Sequence, residues 1–145
     1  MGRVIAVGFA VLLAAAVPCR PPAQAEARLR EAVPALDMLH TLRPCYLRGD
    51  FDGDGTPDVA IQVRDRATGR VGIAIEHSST HTWFIAGAGH RMSSGDDNFD
   101  WMDSWHVAPN SVRRKGEAIV AEKNSFASGL IYWDGREYKW FQQGD

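Results

Sequence analysis

Four carboxylates crowd into the nine residues Asp50 to Asp58, and they fall in a pattern. Asp50, Asp52, Asp54 and Asp58 follow the spacing D-x-D-x-D-G-x-x-D within Gly-Asp-Phe-Asp-Gly-Asp-Gly-Thr-Pro-Asp. Alternate acids on a tight loop aim at one point, and the chemistry that suits them is a hard divalent cation. Calcium takes about six to eight oxygens at about 2.3–2.6 Å, mostly carboxylates and main-chain carbonyls. Gly55 in the sixth position permits the sharp turn such a loop needs. The carbonyl of Thr56 in the seventh is the expected main-chain ligand, and Asp58 in the ninth closes the shell. Magnesium would require a smaller, stricter octahedron, so calcium is the expected cofactor. Asp and Gly also favour turns on their own, so a solvated acidic turn is the plain alternative. Against it, four close carboxylates repel one another without a cation.

An EF-hand is excluded by its closing residue. That loop needs a bidentate acid at position twelve, where this chain has Ile61. Over Gly49 to Ile61 the loop instead resembles the calcium loops of the FG-GAP repeats of integrin alpha chains and of bacterial VCBS-type repeats. The resemblance rests on Phe51 at position two, Gly53 at four, Asp54-Gly55 at five and six, and Asp58 at nine. It implies a loop between neighbouring strands that binds calcium structurally. Those folds stack several copies and this chain carries one, with no repeat of about 20–50 residues, so neither a solenoid nor a full propeller is expected.

Other residues offer less. The stretch Gly95 to His106 sets Asp96, Asp97, Asp100 and Asp103 among Phe99, Trp101 and Trp105. It would suit a sugar stacked on Trp101 or Trp105, or a second cation at Asp96, Asp97 and Asp100. The simpler expectation is that the aromatics plug the end of a sheet while the acids stay in water. His77 and His81 flank a turn and do not share a helix face, so zinc spacing is not met, and His40, His90 and His106 are isolated. No G-x-S-x-G elbow exists and no Ser, His and Asp set stands out, so no catalytic residue is assigned.

The elements that must hold the loop follow from periodicity. Leu29, Val33, Leu36, Leu39 and Leu42 recur at three- and four-residue steps, predicting a helix over Glu26 to Leu42 that starts or kinks near Pro34 and ends before Pro44. From Cys45 onward the pattern is that of strands. Asp58–Arg64 and Arg70–Glu76 predict a hairpin, followed by Thr82–Ile85 and a long loop over Gly87–Asp100. Glu117–Lys123, Ser128–Trp133 and Arg136–Gln142 complete the set, the last two joined by Asp134-Gly135, a strong hairpin signal. The expected class is α+β: one N-terminal helix over a mainly antiparallel sheet of six to seven short strands.

Composition bounds the rest. A chain of 145 residues fits a single domain, and 45% hydrophobic residues with five Trp argue for a packed core over disorder. A net charge of −2 without a basic stripe gives no reason to expect nucleic acid or a membrane surface as partner. Arg3, the uncharged apolar run Val4–Val17 and Ala23-Gln24-Ala25 read as a signal peptide over 1–25, leaving one β-rich domain over 26–145 in the periplasm or secreted. The run is short for a membrane span, which takes roughly 20 apolar residues, and Pro18 and Ala16 fit a lipoprotein box at Cys19 poorly. Cleavage after Ala25 would remove Cys19, so the mature chain is expected to hold only Cys45, buried and without an intrachain disulfide.

The functional expectation is an exported, calcium-stabilised binding module without catalysis, meeting a protein or carbohydrate partner. The alternatives are a small hydrolase using the 95–106 loop, or an inhibitor or adaptor of another exported protein through exposed aromatics.

Overall fold

Proline decides where the helix stops. The computed structural model describes residues 19–109, 115–124 and 126–144. Within them α1 covers Ala23–Ala32, and Val33, at φ −135° and ψ 70°, has already left helical geometry while its N–H still reaches Leu29 O at 2.8 Å. The ring of Pro34 disfavours helical backbone at the preceding residue, so the expected helix to Leu42 ends ten residues early. Its apolar stripe is shared out. Leu29 stays on the helix, Leu36 lies in strand β1 (Leu36–Met38), and Leu42 reaches a different part of the core.

Among the described residues nine strands form two antiparallel sheets, more than the six or seven expected but of the expected class. In the first sheet β2 (Tyr46–Gly49), β3 (Asp58–Asp65), β4 (Val71–His77) and β5 (Thr82–Gly87) run as a meander. Strand β1 adds to the far end of the β3 edge that β2 also occupies, with Leu36 opposite Asp65. The second sheet is a meander of β6 (Ser104–Ala108), β7 (Ala118–Lys123), β8 (Ala127–Trp133) and β9 (Tyr138–Gly144). The Asp134-Gly135 turn links β8 to β9 as expected: Gly135 has φ +102°, and the Asp134 carboxylate accepts the N–H groups of Arg136 and Glu137 at 2.8 Å. Neither sheet closes into a barrel.

Three layers result, and the first sheet lies in the middle. Val59, Ile61, Val63 and Ala74 point to one face and pack with Ala25 and Leu29 of α1. Ala60, Ile73, Ile75 and Ala86 point to the other and pack with Trp105, Ile119, Ala121 and Ile131 of the second sheet. That explains why β4 is buried at every position and is apolar from Val71 to Ile75: both of its faces are covered, and the Glu76 and His77 that end it are buried too. The helix is fastened to the middle layer by charge as well. Arg28 grips the fully buried Glu76 with two hydrogen bonds, Nε to Oε2 at 2.6 Å and a terminal nitrogen to Oε1 at 2.7 Å.

The cysteines overturn one expectation. Cys19 and Cys45 are joined in a disulfide, with Cα atoms 5.8 Å apart, and no free cysteine remains among the described residues. Cys45 is fully buried, as expected, yet it is not a lone apolar thiol. The expected cut after Ala25 falls inside α1, and Ala25 packs in the core. Residues 19–25 are thus part of the packed domain, while the run Val4–Val17 lies outside the described residues. No helix among the described residues is long and apolar enough to cross a membrane.

A disulfide stabilises chiefly by restricting the unfolded chain, and a separation of 26 residues corresponds to about 3 kcal/mol. The double variant Cys19→Ser/Cys45→Ser is therefore expected to lose about 3 kcal/mol in urea unfolding. A loss below about 1 kcal/mol would show that the cross-link adds little to a fold already set by packing.

Candidate metal centre

The acidic loop is the connection between β2 and β3, whose last register pair is Gly49 opposite Asp58. Eight residues must therefore leave and return to nearly the same point. Gly53 and Gly55 supply the positive φ values, 74° and 88°, that this path requires. Phe51, fully buried, anchors the loop in the core between the sheets. The segment before β7 braces it from outside. Glu117 N–H donates to Asp50 O at 2.9 Å, and the Glu117 carboxylate accepts Asp50 N–H at 3.0 Å. Gly116 lies so near that a Cβ there would stand 2.5 Å from Phe51 O.

Within this frame Asp50, Asp52 and Asp58 each turn one carboxylate oxygen to a common point, all within 4.8 Å of one another. Asp58 is the innermost, with no exposed surface. One of its oxygens accepts Phe51 N–H at 2.9 Å and Asp52 N–H at 3.3 Å, and the other accepts Ser78 N–H at 2.9 Å. Asp50 accepts Asp54 N–H at 3.0 Å and Gly55 N–H at 2.9 Å, and Asp52 accepts Asp54 N–H at 3.1 Å. The oxygens of Asp50 and Asp52 and the Asp58 oxygen that meets Ser78 each accept at most one N–H, so a second lone pair on each is left for a cation. Asp54 and Thr56 stand on the exposed rim. The Asp54 carboxylate accepts Thr56 N–H at 2.8 Å and a hydrogen bond from Ser79, which hold it below the usual carboxylate range. Three of the four expected acids converge, with Asp54 and the expected carbonyl donor Thr56 beside them.

The electrostatics of this group favour a positive charge. Burial pushes the Asp52 carboxyl up to about 6, and the neighbouring Asp58 charge adds to it. Burial also raises Asp58, against the lowering by its backbone donors. Partly desolvated acids in mutual contact resist ionising together, and a bound divalent cation would remove that conflict.

Two residues beside the loop, His77 and Tyr138, carry no sequence signal that ties them to it. His77, at the end of β4, is buried with Nδ1 3.5 Å from the Asp52 carboxylate and Nε2 2.7 Å from the Tyr138 hydroxyl. Its ring packs among Phe84, Trp133 and Tyr138, and burial lowers its pKa while Asp52 and Asp54 oppose the drop. The Tyr138 hydroxyl is raised by burial and by the three nearby acids. A chain Asp52–His77–Tyr138 thus runs from the loop across to the second sheet. It unites three strands or loops distant in sequence, so no local motif could announce it.

The weaker candidates separate. Phe99 and Trp105 are core residues, and Trp105, expected in a loop, belongs to β6 with its indole N–H donating to Pro44 O at 2.6 Å. Asp97 pairs with Arg70, Asp96 and Asp100 are exposed, and the three are not among the groups of described residues with metal-binding geometry. Asp103 is exposed and accepts Asn124 N–H, while the exposed His106 faces Glu122 at 3.8 Å on the outer face of the second sheet. These separate partners give the hydrolase alternative no assembled set. His81 lies 3.7 Å from Glu76.

Comparison of the chain with protein-family models, curated proteins and solved structures finds no match.

Proposed function

We propose that this chain is an exported calcium-binding domain in which the ion is structural and the protein serves as a non-catalytic binding module. The observation that carries the proposal is the convergence of Asp50, Asp52 and Asp58 within 4.8 Å on a braced loop between two paired strands. The likeness to FG-GAP and VCBS-type loops supports calcium over other ions, and so does the all-oxygen donor set. Asp54, through a small turn of its side chain, and the Thr56 carbonyl are the further ligands the spacing suggests. The Cys19–Cys45 bridge is compatible with an oxidising compartment outside the cytoplasm. A sulfur engaged in that bridge is not available for a lipid anchor.

Outside the cytoplasm calcium is commonly near millimolar, and extracellular modules bind it at about 10⁻⁴–10⁻³ M. A constant of about 10⁻⁴ M at about 1 mM free ion adds about 1.4 kcal/mol of stability. For a domain of this size that is a rise in melting temperature of about 5 °C. The test is a calorimetric calcium titration of the oxidised, chelator-stripped protein, with melts in calcium and in chelator. Asp52→Ala is expected to abolish the calcium increment and leave the chelator melt nearly unchanged, because in the free loop Asp52 accepts one exposed N–H and its contact with His77 at 3.5 Å is offset by the burial that disfavours both charges. Absence of binding heat, or equal melts of Asp52→Ala and parent in calcium, would defeat the proposal.

A further inference from the structure

Away from the metal loop, a cleft of about 360 Å³ opens where the 94–101 segment crosses the ends of β7, β8 and β9. Its floor and walls are Phe99, Trp101 and Trp140, and its rim carries Asp96, Lys123 and Gln142. The volume lies toward the low end of the range of about 300–1,000 Å³ typical of small-ligand sites. Trp101 and Trp140 meet nearly at right angles, 82° with centroids 5.8 Å apart, and both stay half-buried. Both indoles pack against the main core cluster and also line the cleft.

The corner is held rigidly. Phe99 stacks on Trp140 at 26° and stands edge-on to Trp101. A Cβ on Gly129 would fall 2.0 Å from the Trp140 ring, and one on Gly95 would fall 2.9 Å from Trp140 Cβ. Glycine at these two positions makes room for the indole in its present place. Ser94 fixes the strand below it by donating its hydroxyl to Trp140 O at 2.9 Å.

The rim decides what such a corner fits. Asp96 and Lys123 carry opposite charges at one mouth, so neither an anion nor a cation is favoured overall. Lys123 makes no ion pair among the described residues, and Gln142 brings an amide at the edge of the Trp140 ring, accepting its N–H at 3.2 Å. A neutral sugar ring matches this division: its C–H face lies on an indole while the hydroxyls around its edge meet charged and amide groups. Rigid Trp side chains provide that contact with little conformational entropy to lose. We propose that the Trp101–Trp140 cleft is a binding site for a neutral pyranose unit of an oligosaccharide. It is separate from the acidic loop and does not depend on the calcium assignment.

The test is titration of the full oxidised chain with maltohexaose, cellohexaose and chitohexaose, read by calorimetry and by tryptophan fluorescence. Choline and trigalacturonate serve as charged comparators. At least one neutral hexasaccharide is expected to bind with a micromolar to millimolar constant. Trp101→Ala should weaken binding about tenfold or more, as loss of an aromatic anchor does. Gln142→Ala, at the exposed rim, should weaken it several-fold without threatening the fold. Phe141→Ala, altering an exposed ring on the opposite face of β9, should leave binding unchanged. The proposal is overturned if no neutral sugar binds at up to about 10 mM, equivalent to about 3 kcal/mol of affinity. It is equally overturned if only a charged comparator binds, or if binding survives both Trp101→Ala and Gln142→Ala. Calcium heats are measured without sugar, so failure here leaves the metal proposal standing, and the converse.

Discussion

Replacing Asp58 by alanine is expected to cost about 4 kcal/mol in chelator, and about 1.4 kcal/mol more in calcium, where the increment from the bound ion is lost as well. Asp58 is fully buried and its carboxylate satisfies three backbone N–H groups, those of Phe51, Asp52 and Ser78. Removing it leaves those donors without a partner inside the fold, and each orphaned buried donor costs about 1–3 kcal/mol. Part is returned because a desolvated charge is also removed, as the raised Asp58 carboxyl attests. The isosteric Asp58→Asn is not a rescue. Its single carbonyl oxygen can meet the donors on one side only, and its NH₂ then faces an N–H. About 2 kcal/mol of loss is expected for it. Chemical unfolding in chelator separates this residue from Asp52, whose alanine variant should there match the parent. If Asp58→Ala were as stable as the parent in chelator, Asp58 would be a ligand only and not the hub on which the loop folds.

Cutting the charge link between helix and sheet is expected to cost as much. Arg28→Ala leaves Glu76 with no exposed surface and without its bidentate partner, since His81 at 3.7 Å is the other basic group near it. Breaking a buried pair from one side costs about 3–5 kcal/mol, because the remaining charge stays desolvated and unpaired. For this domain that is a fall in melting temperature of about 15 °C. The pair itself is a weak source of stability, so an apolar replacement of both partners, Arg28→Leu/Glu76→Leu, should recover most of the loss. A double-mutant cycle measures the coupling directly. A cost for Arg28→Ala below about 1 kcal/mol would place this contact with ordinary surface ion pairs.

Both predictions concern residues that position the acidic loop. Asp58 begins β3, and Glu76 lies opposite Val59 on the neighbouring strand, on the face that α1 covers. The helix thereby keeps the outer face of the middle sheet dry, while the loop and His77 occupy its end and inner face. Loss of α1 contacts should loosen the β3–β4 pair from which Asp58 and His77 project.

What the sequence determined by itself is local. The Asp50–Asp58 loop was legible because acid spacing and the obligatory glycines are properties of a single short segment. The β3–β4 and β8–β9 hairpins were legible because apolar runs bounded by turn residues, above all Asp134-Gly135, form between neighbours in the chain. Pro34 marks a possible break in the sequence, but where the helix ends depends on a competitor. Leu36 and Met38 find hydrogen-bonding partners on the free edge of β3, and that partner lies about thirty residues away. Strand β6 was hidden because its alternation, with Trp105 and Val107 inward and Ser104 and His106 outward, spans only five residues directly after the acidic 95–103 stretch, and β7 beside it is what makes it a strand.

Tertiary structure alone decided everything that joins distant segments. It paired Cys19 with Cys45, turned Glu76 from a strand-end acid into the buried anchor of Arg28, and brought His77 between Asp52 and Tyr138. It also divided the aromatics of the 95–106 stretch, sending Phe99 and Trp105 into the core and leaving Trp101 at the surface with Trp140 from the last strand. The physical reason is common to all of these. Spacing along the chain fixes turns and faces, whereas desolvation and packing select partners only after two sheets and a helix have closed around them.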